Sequence, residues 1–223
     1  MIDEQTRTQL IEKDPKSADL IRPLAVGDDV RRWHIRDKKR YLIFTRRGIE
    51  IEKYPAILAH LDQFRERLEP RPKDWDESER WPGRKAGTYK WYEIQDDIAY
   101  FQEFGKPKII YPDMAQEPRF TLDYSGTFFG NTAYMIAIED KYLLGVLNSA
   151  PFWNLCLQSF AVFKGNTLRI FKQDLESMPI PVATEECRQE IIALVDILLS
   201  NPKADRLLLE KTISNLVSKL YGL

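Results

Sequence analysis

The chain has 223 residues, of which 43% are hydrophobic and 30% are charged, and its formal net charge is −1. This composition is that of an ordinary soluble globular protein with enough residues for one good core. No apolar run approaches the roughly 18 residues that a membrane helix needs, and the polar N-terminus does not fit a signal peptide. The two cysteines, Cys156 and Cys187, are too few for a disulfide framework or a zinc site. We therefore expect a cytoplasmic protein with no membrane partner.

The first third of the chain predicts a helix, a strand and a second helix. Residues 1–20 are polar and predict a short helix that breaks at Asp14-Pro15. Residues 41–45 (YLIFT) have strand composition. Pro55 suits the first turn of a helix. The apolar residues that follow it recur at offsets of four, three and four and predict one helical stripe: Ile57, Leu61, Phe64 and Leu68.

Residues 70–88 predict a long loop. The segment (PRPKDWDESERWPGRKAGT) combines prolines, glycines and tryptophans with many charges and shows no apolar period. Loops of this length inside a compact domain are usually functional or disordered.

The middle of the chain alternates strand and helix signals. The segments with strand composition are 108–111, 120–124 and 133–138. Asp140 is placed to cap a helix that runs through Leu147, and Pro151 begins another helix. A polar turn at residues 164–167 separates that helix from an apolar segment at 168–171.

The last forty residues predict an α-hairpin. Residues 185–200 and 205–221 form two amphipathic segments, and Asn201-Pro202 breaks the pattern between them. The apolar face of the second segment consists of Ile213, Leu216, Val217 and Leu220. We expect this face to pack on the body of the domain or on a catalytic domain.

Positive charge concentrates in one stretch. Between Arg22 and Arg47 there are nine lysines and arginines against three aspartates. A local excess of this size is typical of a surface that contacts phosphates, and a solvated charged surface is the alternative.

One enzymatic alternative follows from the carboxylates. Pro112-Asp113 followed by Glu139-Asp140-Lys141 is similar to the pattern of nucleases in which two carboxylates bind Mg²⁺ and a lysine assists the attacking water. The catalytic set would be Asp113, Glu139 and Lys141. The acid-x-lysine element recurs at Asp14 and Asp37, so the pattern is weak.

Two long segments carry a resemblance to a known family. They are residues 91–112 (WYEIQDDIAYFQEFGKPKIIYP) and residues 142–181 (YLLGVLNSAPFWNLCLQSFAVFKGNTLRIFKQDLESMPIP). Shorter matches follow the same order: 20–24, 27–30, 41–45 with Gly48, 54–61, 130–134 and 216–223. Together they resemble the TaqI-like C-terminal specificity domain, which is the target-recognition domain of adenine-specific DNA methyltransferases and of type IIG restriction–modification enzymes.

The resemblance implies an α+β fold, with an irregular body of wound strands and short helices that a C-terminal α-hairpin closes. It divides the chain into an N-terminal linker or helix (1–20), a DNA target-recognition body (21–181) and the hairpin (182–223). It also implies that the chain binds double-stranded DNA and directs a methyltransferase catalytic domain, on the same or a separate chain, to its site. A plain protein-interaction module remains the other alternative.

The chain itself has no catalytic motif of a methyltransferase. It contains no Pro-Pro dipeptide of the kind that holds a flipped adenine, and no GxGxxG or GxxxxGK[ST] segment that would bind a nucleotide. We therefore expect no cofactor on this chain. The resemblance implies S-adenosylmethionine for the parent enzyme, which would be an adenine-specific DNA methyltransferase with or without endonuclease activity.

The expected DNA contacts fall into two sets. Cations beside turns should bind phosphates: Arg31, Arg32, Lys164, Arg169 and Lys172. Cations of the long loop and its end should reach base edges in the major groove: Arg84, Lys85 and Lys90. Gly83 and Gly87 would let the backbone of the loop approach the duplex closely.

Overall fold

The computed structural model describes residues 1–76, 79–163 and 165–223. Its strands, in chain order, are β1 (Ile2–Asp3), β2 (Ile21–Ala25), β3 (Val30–Arg31), β4 (His34–Ile35), β5 (Arg40–Ile43), β6 (Lys108–Pro112), β7 (Met114–Ala115), β8 (Thr121–Asp123), β9 (Phe128–Phe129), β10 (Ala133–Ile136), β11 (Val162–Phe163) and β12 (Thr167–Arg169). Its α-helices are α1 (Glu4–Lys13), α2 (Pro55–Asp62), α3 (Arg65–Leu68), α4 (Lys141–Leu147), α5 (Ala150–Ser159), α6 (Lys172–Glu176), α7 (Glu185–Ser200) and α8 (Arg206–Tyr221). Several small sheets and a C-terminal pair of helices make the fold α+β, as the sequence predicts.

The chain packs as two compact units. The first consists of Met1–Leu24 and Lys39–Gln102, and the second consists of Ala25–Lys38 and Glu103–Leu223. The division into residues 1–20, 21–181 and 182–223 stays a prediction.

The first unit is built on a small antiparallel sheet. β5 pairs with β1 on one side and with β2 on the other. Asp3 caps α1, since its carboxylate accepts a hydrogen bond from the Thr6 N–H at 2.8 Å. The buried apolar residues of this unit are Ile2, Leu10, Leu20, Ile21, Ile43, Ile51 and Ile57.

The helix predicted from Pro55 to Leu68 is interrupted. α2 ends at Asp62 and α3 begins at Arg65, because Phe64 has φ −115° and ψ 14°, outside the helical range. The apolar stripe therefore continues over a bend. From residue 69 to residue 100, outside 77 and 78, the structure has neither helix nor strand, and Pro70 and Arg84 form an isolated bridge. The predicted loop is thus confirmed for its described part.

The second unit is organised around β6, all of whose residues are buried. β6 pairs antiparallel with β10 on one side and with β8 on the other. Another antiparallel sheet has β12 between β11 and β7. The strands predicted from composition at 108–111, 120–124 and 133–138 correspond to β6, β8 and β10.

Helices cover the second unit, and their ends follow local capping. Asp140 caps α4 by accepting from the Leu143 N–H at 2.9 Å, as the sequence predicts, and Ser149 caps α5. α7 and α8 form the predicted hairpin and pack on α4. Ile213 and Val217 are buried, and Leu216 and Leu220 are partly buried against the same core. Among the described residues, no helix combines the length and the apolar character needed to cross a bilayer.

Candidate nucleic-acid interface

Arg31 ends β3 and Arg32 lies in the turn that follows it, and both have partners within the second unit. Arg31 Nη2 lies 3.2 Å from Asp28 Oδ1, and Arg31 Nη1 donates a hydrogen bond to the Val30 carbonyl oxygen. Arg32 Nη1 lies 2.6 Å from Glu210 Oε2 of α8. Their side chains are only 14% and 26% exposed. Both guanidinium groups therefore stabilise the unit, and DNA contact would have to share them with these partners.

Trp33 completes this turn with an uncommon backbone. Its φ is 72°, in the left-handed region that favours glycine, and the residue is buried. The indole N–H donates to Glu210 Oε1 at 2.7 Å. Glu210 thus accepts from both Arg32 and Trp33, and these hydrogen bonds offset the cost of the strained turn.

Arg169 and Lys172 are exposed cations of the second unit. The Arg169 guanidinium lies 4.6 Å from the centre of the Phe171 ring, and within the described residues it forms no ion pair. Lys172 pairs with Glu176 at 3.5 Å, but both side chains are mostly exposed, so this pair is weak. Lys164 lies outside the described residues. Arg169 and Lys172 are therefore available to bind a phosphate.

Arg84 is bound inside the first unit. Its guanidinium donates to the carbonyl oxygens of Leu68 at 2.6 Å, Glu93 at 2.7 Å and Trp91 at 2.7 Å. A weaker bond of 3.4 Å reaches the Lys90 carbonyl. The side chain therefore joins the end of α3 to residues 90–93, a role that the residue type alone does not reveal.

Gly83 is required by packing within the first unit. A Cβ added at this position would lie 2.3 Å from the Glu69 carbonyl oxygen. The space beside it is thus filled by the protein's own backbone.

Lys85 and Lys90 differ from Arg84 in their exposure. Lys85 Nζ lies 3.2 Å from Asp96 Oδ1, and both side chains are about two-thirds exposed or more (66% and 73%). This hydrogen bond and the lysine charge hold the pKa of Asp96 below its usual range. The Lys90 ammonium lies 5.6 Å from the Tyr92 ring centre. The structure brings Arg84, Lys85 and Lys90 into one region, and leaves the two lysines accessible.

An arginine cleft in the first unit was missed as a specific site by the sequence reasoning. It has a volume of about 230 Å³, and Arg22, Arg46 and Arg47 line it. Arg46 is exposed, with its guanidinium 4.6 Å from the Phe101 ring centre. Arg47 donates to the Gln95 carbonyl at 2.9 Å. The consecutive arginines before Gly48, whose φ is 78°, were the available signal.

The residues of the nuclease alternative have separate partners. Glu139 accepts from the Tyr124 hydroxyl at 2.9 Å, and Lys141 Nζ lies 2.5 Å from Asp196 Oδ1 on α7. Asp113 lies between β6 and β7. In the part of the chain that the structure describes, no three His, Cys, Asp or Glu side chains are grouped so that they could hold a metal ion. The geometry therefore adds no support to metal-dependent cleavage.

Comparison with known protein families shows which family the chain belongs to. The family described as the TaqI-like C-terminal specificity domain matches residues 22–180. The chain belongs to this family. The match includes parts of both units. It ends at residue 180, before the C-terminal α-hairpin of α7 and α8.

One sequence relative and one solved structure are similar to this chain. The Type II methyltransferase M.BanIII of Aneurinibacillus aneurinilyticus is 27% identical over an alignment of 194 positions, and the alignment covers 79% of this chain and 30% of that protein. The structure of the Type IIL restriction–modification enzyme MmeI, solved in complex with DNA, matches 99% of this chain and 30% of its own, with a TM-score of 0.63 and 16% identity. The chain thus spans under a third of the length of either relative, and the likeness to MmeI is one of fold.

Proposed function

We propose that the chain is the DNA target-recognition domain of a bacterial restriction–modification enzyme, and that it binds duplex DNA and directs an adenine methyltransferase domain to a sequence. The match to the specificity-domain family over residues 22–180 carries this proposal. The methyltransferase relative and the DNA-bound enzyme of the same fold support it.

The exposed cations supply the phosphate contacts in this proposal. Arg169 and Lys172 serve the second unit, and Arg46 serves the first. Lys164 joins them as a prediction from the sequence. Charged side chains on phosphates fix the register of a protein on the duplex without reading its sequence. Arg31 and Arg32 contribute only if they exchange an internal carboxylate for a phosphate. For base readout, the accessible Lys85 and Lys90 are favoured over Arg84, whose donors are bound to carbonyl groups.

Methyl transfer belongs to another part of the enzyme. The chain lacks the Pro-Pro and glycine-rich segments that would hold an adenine or a nucleotide cofactor. S-adenosylmethionine would therefore be held by the methyltransferase domain, in a type IIG or related arrangement. Since its substrate is cellular DNA, the cytoplasm is the proposed location.

Salt-dependent DNA binding tests the proposal. If about five phosphates are neutralised, a plot of log K against log salt concentration should have a slope of roughly −4 to −5. Fluorescence anisotropy of a labelled duplex, titrated with the purified chain at several salt concentrations, measures this slope. Absence of binding, or affinity that does not change with salt, would contradict the proposal. Methylation by the chain alone would contradict the division of labour.

A further inference from the structure

In the sheet of β11, β12 and β7, one face of β12 and β7 lies in the core and the other face is exposed. β11 is exposed on both faces, because Val162 is 51% exposed and Phe163 is 47% exposed. Leu168 of β12 pairs with Ala115 of β7, and both residues are buried in the core of the second unit. Successive side chains of a strand point to opposite faces of a sheet. The neighbours of Leu168 and Ala115 along the strands therefore lie on the other face.

That exposed face carries two rows of side chains. In the first row Phe163 pairs with Thr167, and Gln116 Nε2 donates to the Thr167 hydroxyl at 3.1 Å. In the second row Arg169 pairs with Met114. Phe163 is 47% exposed and Met114 is 42% exposed, which is high for large apolar side chains. We call these five residues the outer face.

The chemistry of the outer face fits nucleic acid. Its charged member is Arg169, a cation that forms no ion pair within the described residues, and it carries no carboxylate. Beside this cation lie an amide and a hydroxyl that hydrogen-bond to each other at the surface. The two apolar side chains flank these polar groups.

We propose that the outer face enters the major groove of duplex DNA and reads bases there. Gln116 and Thr167 would hydrogen-bond to base edges, since a glutamine can bind adenine N6 and N7 with both ends of its amide. Phe163 and Met114 would contact thymine methyl groups, and Arg169 would hold a flanking phosphate. This inference rests on the proposed function and adds a second base-reading surface to the accessible Lys85 and Lys90.

The dimensions of the sheet allow this placement. Neighbouring strands lie about 4.8 Å apart, so three strands span about 10 Å between their outer axes. The major groove is about 12 Å wide and admits a two-stranded β-ribbon, and strands read grooves in several families of DNA-binding protein. Gly165 and Asn166, which follow β11 and precede β12, have left-handed backbones (φ 74° and 57°). The strands β11 and β12 pair antiparallel as a short two-stranded ribbon.

Photocross-linking locates the contact. In the probe, a duplex of mixed sequence, 5-bromouracil replaces thymine and places bromine where the methyl group lies in the major groove. After irradiation of the complex with the full chain, mass spectrometry should find cross-links in peptides that contain Phe163 or Met114. DNA binding with cross-links confined to other peptides, including those of residues 84–90, would overturn the inference. Absence of salt-sensitive binding would instead overturn the proposed function.

Substitution then tests the reading role. Gln116→Ala is compared with Gln158→Ala, which removes an exposed glutamine of α5 in the same unit. On duplexes that the wild-type chain selects from a randomised pool, Gln116→Ala should lower discrimination at one base pair by about 5- to 150-fold. Gln158→Ala should leave discrimination unchanged. Phe163→Ala, at an exposed site that does not threaten folding, should reduce the cross-link yield. Equal behaviour of the two glutamine variants, with unchanged melting temperatures, would overturn the role of Gln116.

Discussion

Arg84 places its guanidinium group among main-chain carbonyls of the first unit rather than in solvent. Lys85, the next residue, has an exposed ammonium group. The sequence predicts a base-reading role for both residues, because both are cations of the same long loop. The distinction depends on where the carbonyl groups of residues 68 and 91–93 lie, which is a tertiary property.

Arg84→Ala should lower the free energy of unfolding by about 1.5–3 kcal/mol, since buried carbonyl groups would lose a charged donor. Chemical denaturation monitored by tryptophan fluorescence measures the change. Arg80→Ala, at an exposed position of the same loop, is the matched control and should alter stability little. A similar loss for both variants would contradict the structural role of Arg84.

A buried ion pair joins β6 to β8. Lys108 Nζ lies 2.6 Å from Asp123 Oδ2, and both side chains are almost wholly inaccessible (0% and 2%). Lys108→Met should cost about 3–5 kcal/mol, because it leaves the carboxylate buried without its charged partner. Denaturant titration checks this value. Little loss of stability in the single variant would show that the carboxylate is satisfied by its other partners.

Asp123 should also make the stability of the second unit acid-sensitive. Burial raises the pKa of its carboxyl group, but hydrogen bonds from Lys108 and Ser125 and the lysine charge outweigh burial and lower that pKa. A carboxyl whose pKa is lower in the folded state stabilises the fold above its unfolded pKa of about 3.9. This stabilisation is lost as the pH falls through the folded-state value. Asp123→Asn should therefore flatten the fall in stability below about pH 4, which thermal melts over an acid pH series would show.

Among the elements, the C-terminal helices follow the sequence most closely. α7 has the predicted bounds, and α8 begins one residue after the predicted start because Asp205 is its cap. Long amphipathic segments with polar breaks specify their own ends. β7 and β11 have only two residues each, and both pair with β12. Segments this short have no hydrophobic period from which a strand could be predicted. Of the outer face, which is assembled from these strands, only Arg169 was accordingly among the predicted DNA contacts.

The contact between α4 and α7 yields a prediction for an added methyl group. A Cβ at Gly145 would lie 2.7 Å from Ile191 Cγ2 and 3.2 Å from Val195 Cγ2. Gly145→Ala should therefore cost about 1–3 kcal/mol through overpacking, although alanine is the better helix former. Gly105→Ala, where the added Cβ meets no atom within 4 Å, serves as the control. A stabilised Gly145→Ala variant in denaturant unfolding would show that the helices are farther apart.

At the scale of the whole molecule, each unit presents exposed cations of its own. Arg46 in the first unit and Arg169 in the second both rest on an aromatic ring, and neither forms an ion pair among the described residues. If each binds one phosphate, Arg46→Ala and Arg169→Ala should each reduce the salt slope by about one and weaken all sequences alike. Anisotropy titrations on unrelated duplexes measure both effects. A loss confined to one sequence would assign that arginine to base readout.

The hydrogen bonds of Glu210 bear on how this specificity domain could be exchanged between enzymes. Arg32 and Trp33 lie near the start of the second unit, while Glu210 lies within fourteen residues of the C-terminus. A graft that ends with the family match at residue 180 would remove the carboxylate that holds the left-handed Trp33 turn. A graft of this domain should therefore be joined beyond α8, so that the helix is transferred with the turn that it supports.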